Sequence, residues 1–125
     1  MASKRRTKAE IEAAKKRSYQ QWAYRLKQTY GLTPDEYFNI KEAQGGSCYV
    51  CRTAKGVTVR LAVDHSHSEG FIRGELDRRC NSTLGMYGDD PEVFDRFAEY
   101  LRNPPAFNVI GVRKVPNHVA GQCDT

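Results

Sequence analysis

Three cysteines and one aspartate between positions 48 and 80 have the side chains and the spacing of a metal site. Cys48 and Cys51 form a Cys-x-x-Cys pair, and a turn of that length brings both sulfurs to one ion. Cys80 is the obvious third thiolate, and Asp77 stands where a second Cys-x-x-Cys pair would begin. Further candidates for the fourth ligand are His67 and Cys123. We therefore expect a structural Zn²⁺, and the alternatives are a redox pair or unligated buried thiols.

A second set of residues is typical of hydrolytic chemistry. The segment Val63-Asp64-His65-Ser66-His67 places a carboxylate beside an imidazole, and Asn81 follows the third cysteine directly. Histidine can take a proton from water near neutral pH, and carboxylate and amide oxygens hold hard cations such as Mg²⁺ or Mn²⁺. If zinc draws Asn81 towards Asp64, a hydrated cation lies beside His65 as the base, which is what phosphodiester hydrolysis requires. An isolated Asp-His pair is more often a surface turn, so its position between the cysteines favours the functional interpretation.

The geometry of a β-strand sets a condition on this second site. Neighbouring side chains of a regular strand point to opposite faces of the sheet. Asp64 and His65 can therefore serve one site only if the strand bends at that point. The loop that follows, 66–70, favours such a bend.

Hydrophobic periodicity and capping residues predict the elements that carry these groups. An apolar stripe from Ile11 to Tyr30 indicates a first helix, and a capping box of Thr33 and Glu36 begins a second. The predicted order is helix 7–29, a helix from Pro34 to Gly45-Gly46, a tight turn at 48–51, strand 57–63, strand 71–76, a short helix at 80–86, and a helix from Pro91 that Asn103-Pro104-Pro105 ends. No element is predicted for 106–125.

Basic residues are concentrated near the N-terminus. Residues 1–30 contain nine Lys or Arg and two Glu, whereas the whole chain has a net charge of only +5. Such an arm is typical of nucleic-acid binding, although basic arms are also often solvated helix faces. The candidate DNA-binding residues are Lys15, Lys16, Arg17, Arg25, Arg73, Arg78 and Arg79. No apolar run approaches the roughly 20 residues that cross a bilayer, so we expect no membrane association and a cytoplasmic location.

Taken together, these segments resemble the phage recombination endonuclease VII family. The resemblance covers about 26–105 and rests on Tyr30–Tyr37, Gln44–Cys51, Val63–His67, Arg73–Leu76, Cys80-Asn81 and Leu84-Gly85. It implies a ββα-metal core of the His-Me finger (HNH) class with a structural zinc. In that core Asp64 and Asn81 hold the catalytic Mg²⁺, His65 activates water and His67 assists at the phosphate. One departure is that the family normally has cysteine where this chain has Asp77.

The family resemblance also implies a substrate and a setting. Its members cut branched DNA such as Holliday junctions, often as homodimers, and are commonly encoded by phages. The sequence thus predicts an α+β fold with helices on both sides of the zinc-binding core. The predicted divisions are a basic helical arm at 1–31, a nuclease domain at 32–105 and a C-terminal tail at 106–125. The alternatives are a non-specific or nicking HNH nuclease, such as one associated with genome packaging, and a non-catalytic zinc-finger DNA-binding module.

Overall fold

A computed structural model describes residues 4–53, 60–116 and 118 of the chain. Its contacts divide the protein into two units, Met1–Met86 and Tyr87–Thr125. The elements in chain order are α1 (Lys8–Tyr30), α2 (Pro34–Ala43), β1 (Ala62–His65), β2 (Ile72–Leu76), α3 (Arg78–Met86), α4 (Pro91–Arg102) and α5 (Ala106–Ile110). The mixed α+β class is as predicted. The boundaries predicted at 31 and 105 stay predictions.

The first helix, α1, matches the predicted helix within one residue at each end. Thr7 and Glu10 form a capping box at its start, and Gly31 ends it in the left-handed conformation with φ of 71°. The predicted apolar stripe packs only in its C-terminal half, where Leu26 is buried and Trp22 contacts the core. Ile11, in the N-terminal half, is 41% exposed. The basic half of α1 therefore extends beyond the core of the first unit.

The second helix, α2, begins at the predicted capping box. The side chain of Thr33 accepts from the N–H of Glu36, and the Glu36 carboxylate accepts from the N–H of Thr33. Tyr37 is 1% exposed and packs with Leu26 and Val63 in the core. Its hydroxyl donates to the carbonyl of Leu61 at 2.7 Å, which satisfies a buried polar group and ties α2 to the chain entering β1.

The hairpin is antiparallel, and its first strand is shorter than predicted. Strand β1 begins at Ala62 and continues through His65, whereas the prediction placed a strand at 57–63. The carbonyl of Leu61 bonds the tyrosine hydroxyl of α2 rather than a neighbouring strand, so pairing begins one residue later. Residues 57–59 of the predicted strand lie outside the described residues. The returning strand β2 confirms the prediction within one residue.

The described residues of the second unit form two helices, of which the sequence predicted one. Helix α4 has Asp90 as its N-cap, as the Asp-Pro-Glu signal indicates, and Tyr87, Phe94 and Phe97 form an aromatic cluster beside it. The absence of structure predicted for 106–125 is wrong at α5. A helix of five residues is too short to give a readable hydrophobic period, which is why the pattern did not predict it.

One side chain joins the end of α2 to β2. The amide of Gln44 donates to the carbonyls of Glu75 at 2.8 Å and Ser47 at 3.1 Å, and its oxygen accepts from the N–H of Glu75 at 2.8 Å. A Cβ atom at position 74 would lie 2.8 Å from that amide oxygen, so the close approach needs Gly74. These contacts place β2 directly beneath the C-terminal end of α2.

The carboxyl group of Glu75 is the least favourable feature of this core. The residue is 0% exposed, and neither of its carboxylate oxygens has a hydrogen-bond partner among the described residues. Burial raises the pKa of Glu75 to about 7, although the charge of Lys41 acts in the opposite direction. A buried charge without a partner destabilises the folded state, so the neutral acid is the form that folding favours.

Replacing Glu75 with leucine should therefore stabilise the protein, and more so at high pH. The pKa is about 4.5 in the unfolded chain and about 7 in the folded one, so the parent loses stability as pH rises between these values and then levels off. The shift corresponds to about 3 kcal/mol. Urea unfolding of Glu75→Leu and parent protein should show a stability difference that is small at about pH 5 and reaches this size at about pH 8.

Glu69→Leu is the matched control, because Glu69 is exposed in the hairpin loop. Its stability relative to the parent should not change with pH. A Glu75→Leu protein that is less stable than the parent at both pH values would mean that the carboxyl group has a stabilising partner.

Candidate active site and zinc cluster

Four predicted metal ligands meet at one point of the first unit. One ligand atom from each of Cys48, Cys51, Asp77 and Cys80 lies within 4.8 Å of the others. A tetrahedral zinc site with thiolate ligands needs sulfur–sulfur separations of about 3.8 Å, so a small contraction would complete it. No other such group of Cys, His, Asp and Glu occurs in the described part of the chain, so His67 is not a ligand here. Cys123 lies outside the described residues.

The donor chemistry of this cluster fits a divalent cation. Burial acts to raise the pKa of Cys48, but backbone hydrogen bonds from Asp77, Cys51 and Val50 lower it below its ordinary value. The pKa of Cys80 is raised to about 12. Burial is the largest cause, and the neighbouring groups of Asp77, Cys48 and Cys51 raise it further. Several anions packed together cannot all ionise alone, whereas Zn²⁺ would stabilise every thiolate at once. The cluster thus fits a structural zinc site.

Asp77 has two roles at the start of α3. Its Oδ1 accepts from the N–H of Cys80 at 2.7 Å, in the manner of an N-cap, and its Oδ2 accepts from the Cys51 sulfur at 2.9 Å. These two hydrogen bonds hold the pKa of Asp77 below its usual value, and the bond from the Cys51 thiol has the larger effect. A carboxylate can cap the helix with one oxygen and bind a metal with the other. Aspartate in place of a fourth cysteine therefore preserves both a set of four ligands and the cap at the start of α3.

The hairpin is irregular opposite the Asp-His pair. In the hairpin Asp64 pairs with Gly74, whereas His65 pairs with Ile72, so Arg73 is an extra residue on β2. Such a bulge bends the strand that carries the extra residue and increases the local twist of the hairpin. The irregularity lies on β2, directly across from Asp64 and His65 of β1.

The imidazoles lie beside aromatic and basic neighbours at the end of β1. The ring centroid of His65 is 4.9 Å from that of His67 and 6.0 Å from that of Tyr30 at the end of α1. Tyr30 was not among the predicted site residues. Its place in the apolar stripe of α1 indicated only a core position, and nothing in its local sequence signals that it contacts the histidine.

The predicted metal ligand Asp64 is paired with an arginine. Arg73 donates through Nε to Oδ2 at 2.7 Å and through Nη2 to Oδ1 at 2.9 Å. The side chain of Asp64 is 6% exposed and that of Arg73 is 33% exposed. The sequence predicted Arg73 as a phosphate contact, and opposite charges on two strands of one hairpin were the signal that they could pair.

The remaining predicted ligand, Asn81, lies in the first turn of α3. Its N–H donates to the carbonyl of Asp77 at 3.0 Å, so the zinc cluster and Asn81 share one helix start. Helix α3 contacts both strands of the hairpin. Asp64 and Leu84 line one cavity of about 540 Å³. Since residues three apart share a helix face, Asn81 is on the same side of α3 as Leu84.

Residues 23–103 match the sequence pattern of the recombination endonuclease VII family. The chain belongs to this family. The match includes every described residue of the cluster, the hairpin and α3. Two proteins of mycobacterial phages are similar over most of this chain, and both are named only Gene 59 protein. That of Mycobacterium phage L5 is 52% identical over 101 residues, and that of Mycobacterium phage D29 is 47% identical over 108 residues.

The two relatives are longer than the region they share with this chain. The L5 alignment covers 80% of this chain and 62% of the relative, and the D29 alignment covers 86% and 64%. The chain thus spans less than two thirds of the length of each of these two relatives. No solved structure matches the chain at a comparable level.

The basic residues predicted to bind DNA are all exposed. Those of the helical arm lie along α1, and two more begin α3 beside the cluster. They are Lys15, Lys16, Arg17 and Arg25 in α1, and Arg78 and Arg79 in α3. None of the helices in the described ranges combines the length and the hydropathy of a membrane span.

Asp77→Asn and Asp77→Cys should separate the two roles of this residue in the endonuclease VII fold. Asparagine keeps the N-cap but is a poor zinc ligand, so Asp77→Asn should lose zinc affinity by more than about tenfold. Cysteine restores a four-thiolate set, so Asp77→Cys should hold zinc at least as tightly as the parent while losing about 1 kcal/mol of capping. Chelator competition and thermal unfolding measure the two quantities. Equal zinc affinity of parent and Asp77→Asn would limit Asp77 to capping.

Proposed function

We propose that this protein is a metal-dependent DNA endonuclease with an HNH (His-Me finger) active site at the bulged end of the hairpin. The observation that carries the proposal is the bulge of β2 opposite Asp64 and His65, which increases the local twist of the hairpin where this pair lies. It occurs in a chain of the endonuclease VII family whose first unit also contains a cluster that fits zinc.

In the proposed mechanism, His65 takes the proton of the attacking water. The carboxylate of Asp64 and the amide oxygen of Asn81 would hold Mg²⁺ or Mn²⁺, and their oxygen donors fit a hard cation. That cation would supply stabilisation of the charge on the phosphate and on the leaving 3′ oxygen. His67, whose ring lies tilted beside that of His65, would assist at the phosphate, and the contact with Tyr30 would orient the imidazole of His65. The products would carry 5′-phosphate and 3′-hydroxyl ends.

The zinc cluster would act as the scaffold for this site rather than as a catalyst. It joins the Cys48–Cys51 turn to the start of α3, and Asn81 is the first residue after Cys80. The N–H of Asn81 donates to the backbone carbonyl of Asp77, so Asn81 is tied to a residue whose side chain would hold zinc. In this way a structural ion would determine where a catalytic ligand lies.

The proposed substrate is DNA, with branched forms such as Holliday junctions as the first candidates. This follows from the family and from the exposed basic helix α1, and the proposal extends to a homodimer acting in the cytoplasm of a phage-infected cell. A nicking or non-specific nuclease would have the same site chemistry. Cleavage of a four-way junction, a nicked duplex and a matched linear duplex by one sample of known metal content would distinguish them.

A non-catalytic zinc-dependent DNA-binding module is the second candidate. The bidentate pairing of Asp64 with Arg73 favours it, because such a pair can also be purely structural. Equal nuclease output from the parent and from Asp64→Ala, after identical purification, would support this candidate and contradict catalysis.

Replacing His65 with alanine should abolish cleavage of the four-way junction, by at least about a hundredfold, because the general base is lost. DNA binding should be nearly unchanged, since the exposed basic residues of α1 and α3 are all retained. Cleavage with added Mg²⁺ and binding in EDTA measure the two effects. His118→Ala, which changes an exposed histidine, is the matched control and should cut at the parental rate. Parental cleavage by His65→Ala would remove this residue as the base.

Neutralising Lys15, Lys16 and Arg17 together should weaken DNA binding and flatten its dependence on salt. Each lost phosphate contact reduces the slope of log affinity against log salt by about 0.9, so a change of about 2 to 3 is expected. The control is a triple variant of the second unit, Arg96→Gln, Arg102→Gln and Lys114→Gln, which removes the same charge from other exposed positions. Identical slopes for the two triple variants would attribute the effect to net charge alone.

A further inference from the structure

The ion pair between Asp64 and Arg73 uses both carboxylate oxygens. The donor–acceptor distances of 2.7 and 2.9 Å are those of a charge-assisted, two-pronged contact. The Asp64 side chain is 6% exposed, so little of it is left for solvent. The same carboxylate is the first ligand that the proposed function assigns to the catalytic cation.

A guanidinium aligned with both oxygens and a divalent cation compete for this carboxylate in the observed geometry. Magnesium binds carboxylate oxygen at about 2.0 to 2.1 Å, and an arginine already aligned with both oxygens would face it at close range. The repulsion between the two positive groups would be strong in a site with little solvent. Binding of one group therefore weakens the binding of the other to Asp64.

Arg73 is well placed to be the group that leaves. Its neighbours in the strand pair across the hairpin, Ile72 with His65 and Gly74 with Asp64, whereas Arg73 is the extra residue of the bulge. Its side chain is 33% exposed, so it can move towards solvent without unpacking the core. Guanidinium also binds phosphate in the same two-pronged way as carboxylate.

We propose that Arg73 is a resident counter-cation of Asp64 that the divalent cation displaces, and that the displaced guanidinium binds a DNA phosphate. This inference rests on the proposed function, because it takes Asp64 as the cation ligand. Its consequence is that cation and DNA bind cooperatively. DNA removes the competitor from Asp64, and the cation releases a phosphate ligand, so each raises the affinity of the other by the same factor.

Binding of Mn²⁺ to the full-length protein without DNA tests the competition directly, by calorimetry or by the electron paramagnetic resonance of free Mn²⁺. Arg73→Gln should bind Mn²⁺ roughly tenfold more tightly than the parent, because the competing charged hydrogen bonds are gone. Arg73→Lys keeps the charge but loses the fork, so its affinity should lie between the two. Arg60→Gln, which removes an exposed charge from the chain entering β1, should match the parent.

Asp64→Asn separates the failure of this inference from the failure of the proposed function. If the parent and Arg73→Gln bind equally and Asp64→Asn abolishes binding, the cation site exists and the competition is wrong. If no variant binds Mn²⁺ in a way that depends on Asp64, the proposed catalytic site is wrong as well. An equal gain from Arg60→Gln and Arg73→Gln would reduce the effect to net charge and overturn the inference. Circular dichroism of each variant establishes that it is folded.

The cooperativity is measured with cleavage-deficient protein. Mn²⁺ affinity of His65→Ala should rise several-fold when a short linear duplex is present, beyond the change that the same duplex causes in the double variant His65→Ala and Arg73→Gln. Equal changes in the two proteins would show that Arg73 does not link the two ligands.

Discussion

The attachment of the Cys48–Cys51 turn to the start of α3 is the contact on which the candidate site depends. A two-stranded hairpin is marginally stable by itself and must be held by other elements. Here one end is held by Asp77, whose two oxygens reach Cys51 and the N–H of Cys80. The same attachment determines the position of Asn81. Zinc binding by this cluster would add a rigid connection between the Cys48–Cys51 turn and α3 to these weak contacts.

On the other side, α2 holds β2 through polar contacts rather than through apolar packing alone. Gln44 satisfies both backbone groups of Glu75, and only glycine at position 74 permits that approach. The hydroxyl of Tyr37 similarly anchors the chain entering β1. These buried bonds specify one register for the hairpin, because a slip of one residue would leave them unmade. Helices α2 and α3 thus hold the hairpin in place, and its bulge lies away from these anchoring bonds.

The two buried carboxylates of this small core differ in whether they have a partner. Asp64 has a close cationic partner in Arg73, whereas the equally buried Glu75 has no hydrogen-bond partner among the described residues. The first arrangement gives a buried carboxylate a charged hydrogen-bond partner. The second lowers stability without an evident return in the fold. Burial is therefore tolerated at both positions, but only Asp64 has a partner that offsets its cost.

Local sequence determines much of the secondary structure of this protein. The capping box at Thr33, the Cys-x-x-Cys turn and the Pro91 helix start depend on residues within a few positions, and local rules predicted each of them. Three of the four candidate zinc ligands were also predictable, because the spacing of the cysteines brings their sulfurs together. Asp77 was one of three candidates for the fourth, and the fold brings it to the cysteines. Other features were beyond local rules. The relation of Asp64 to Arg73 and of His65 to Tyr30 was not predictable, since it depends on where a strand bulges and where two helices pack. The position of the bulge and the packing of the helices depend on contacts between segments far apart in the chain, and local sequence patterns do not predict such contacts.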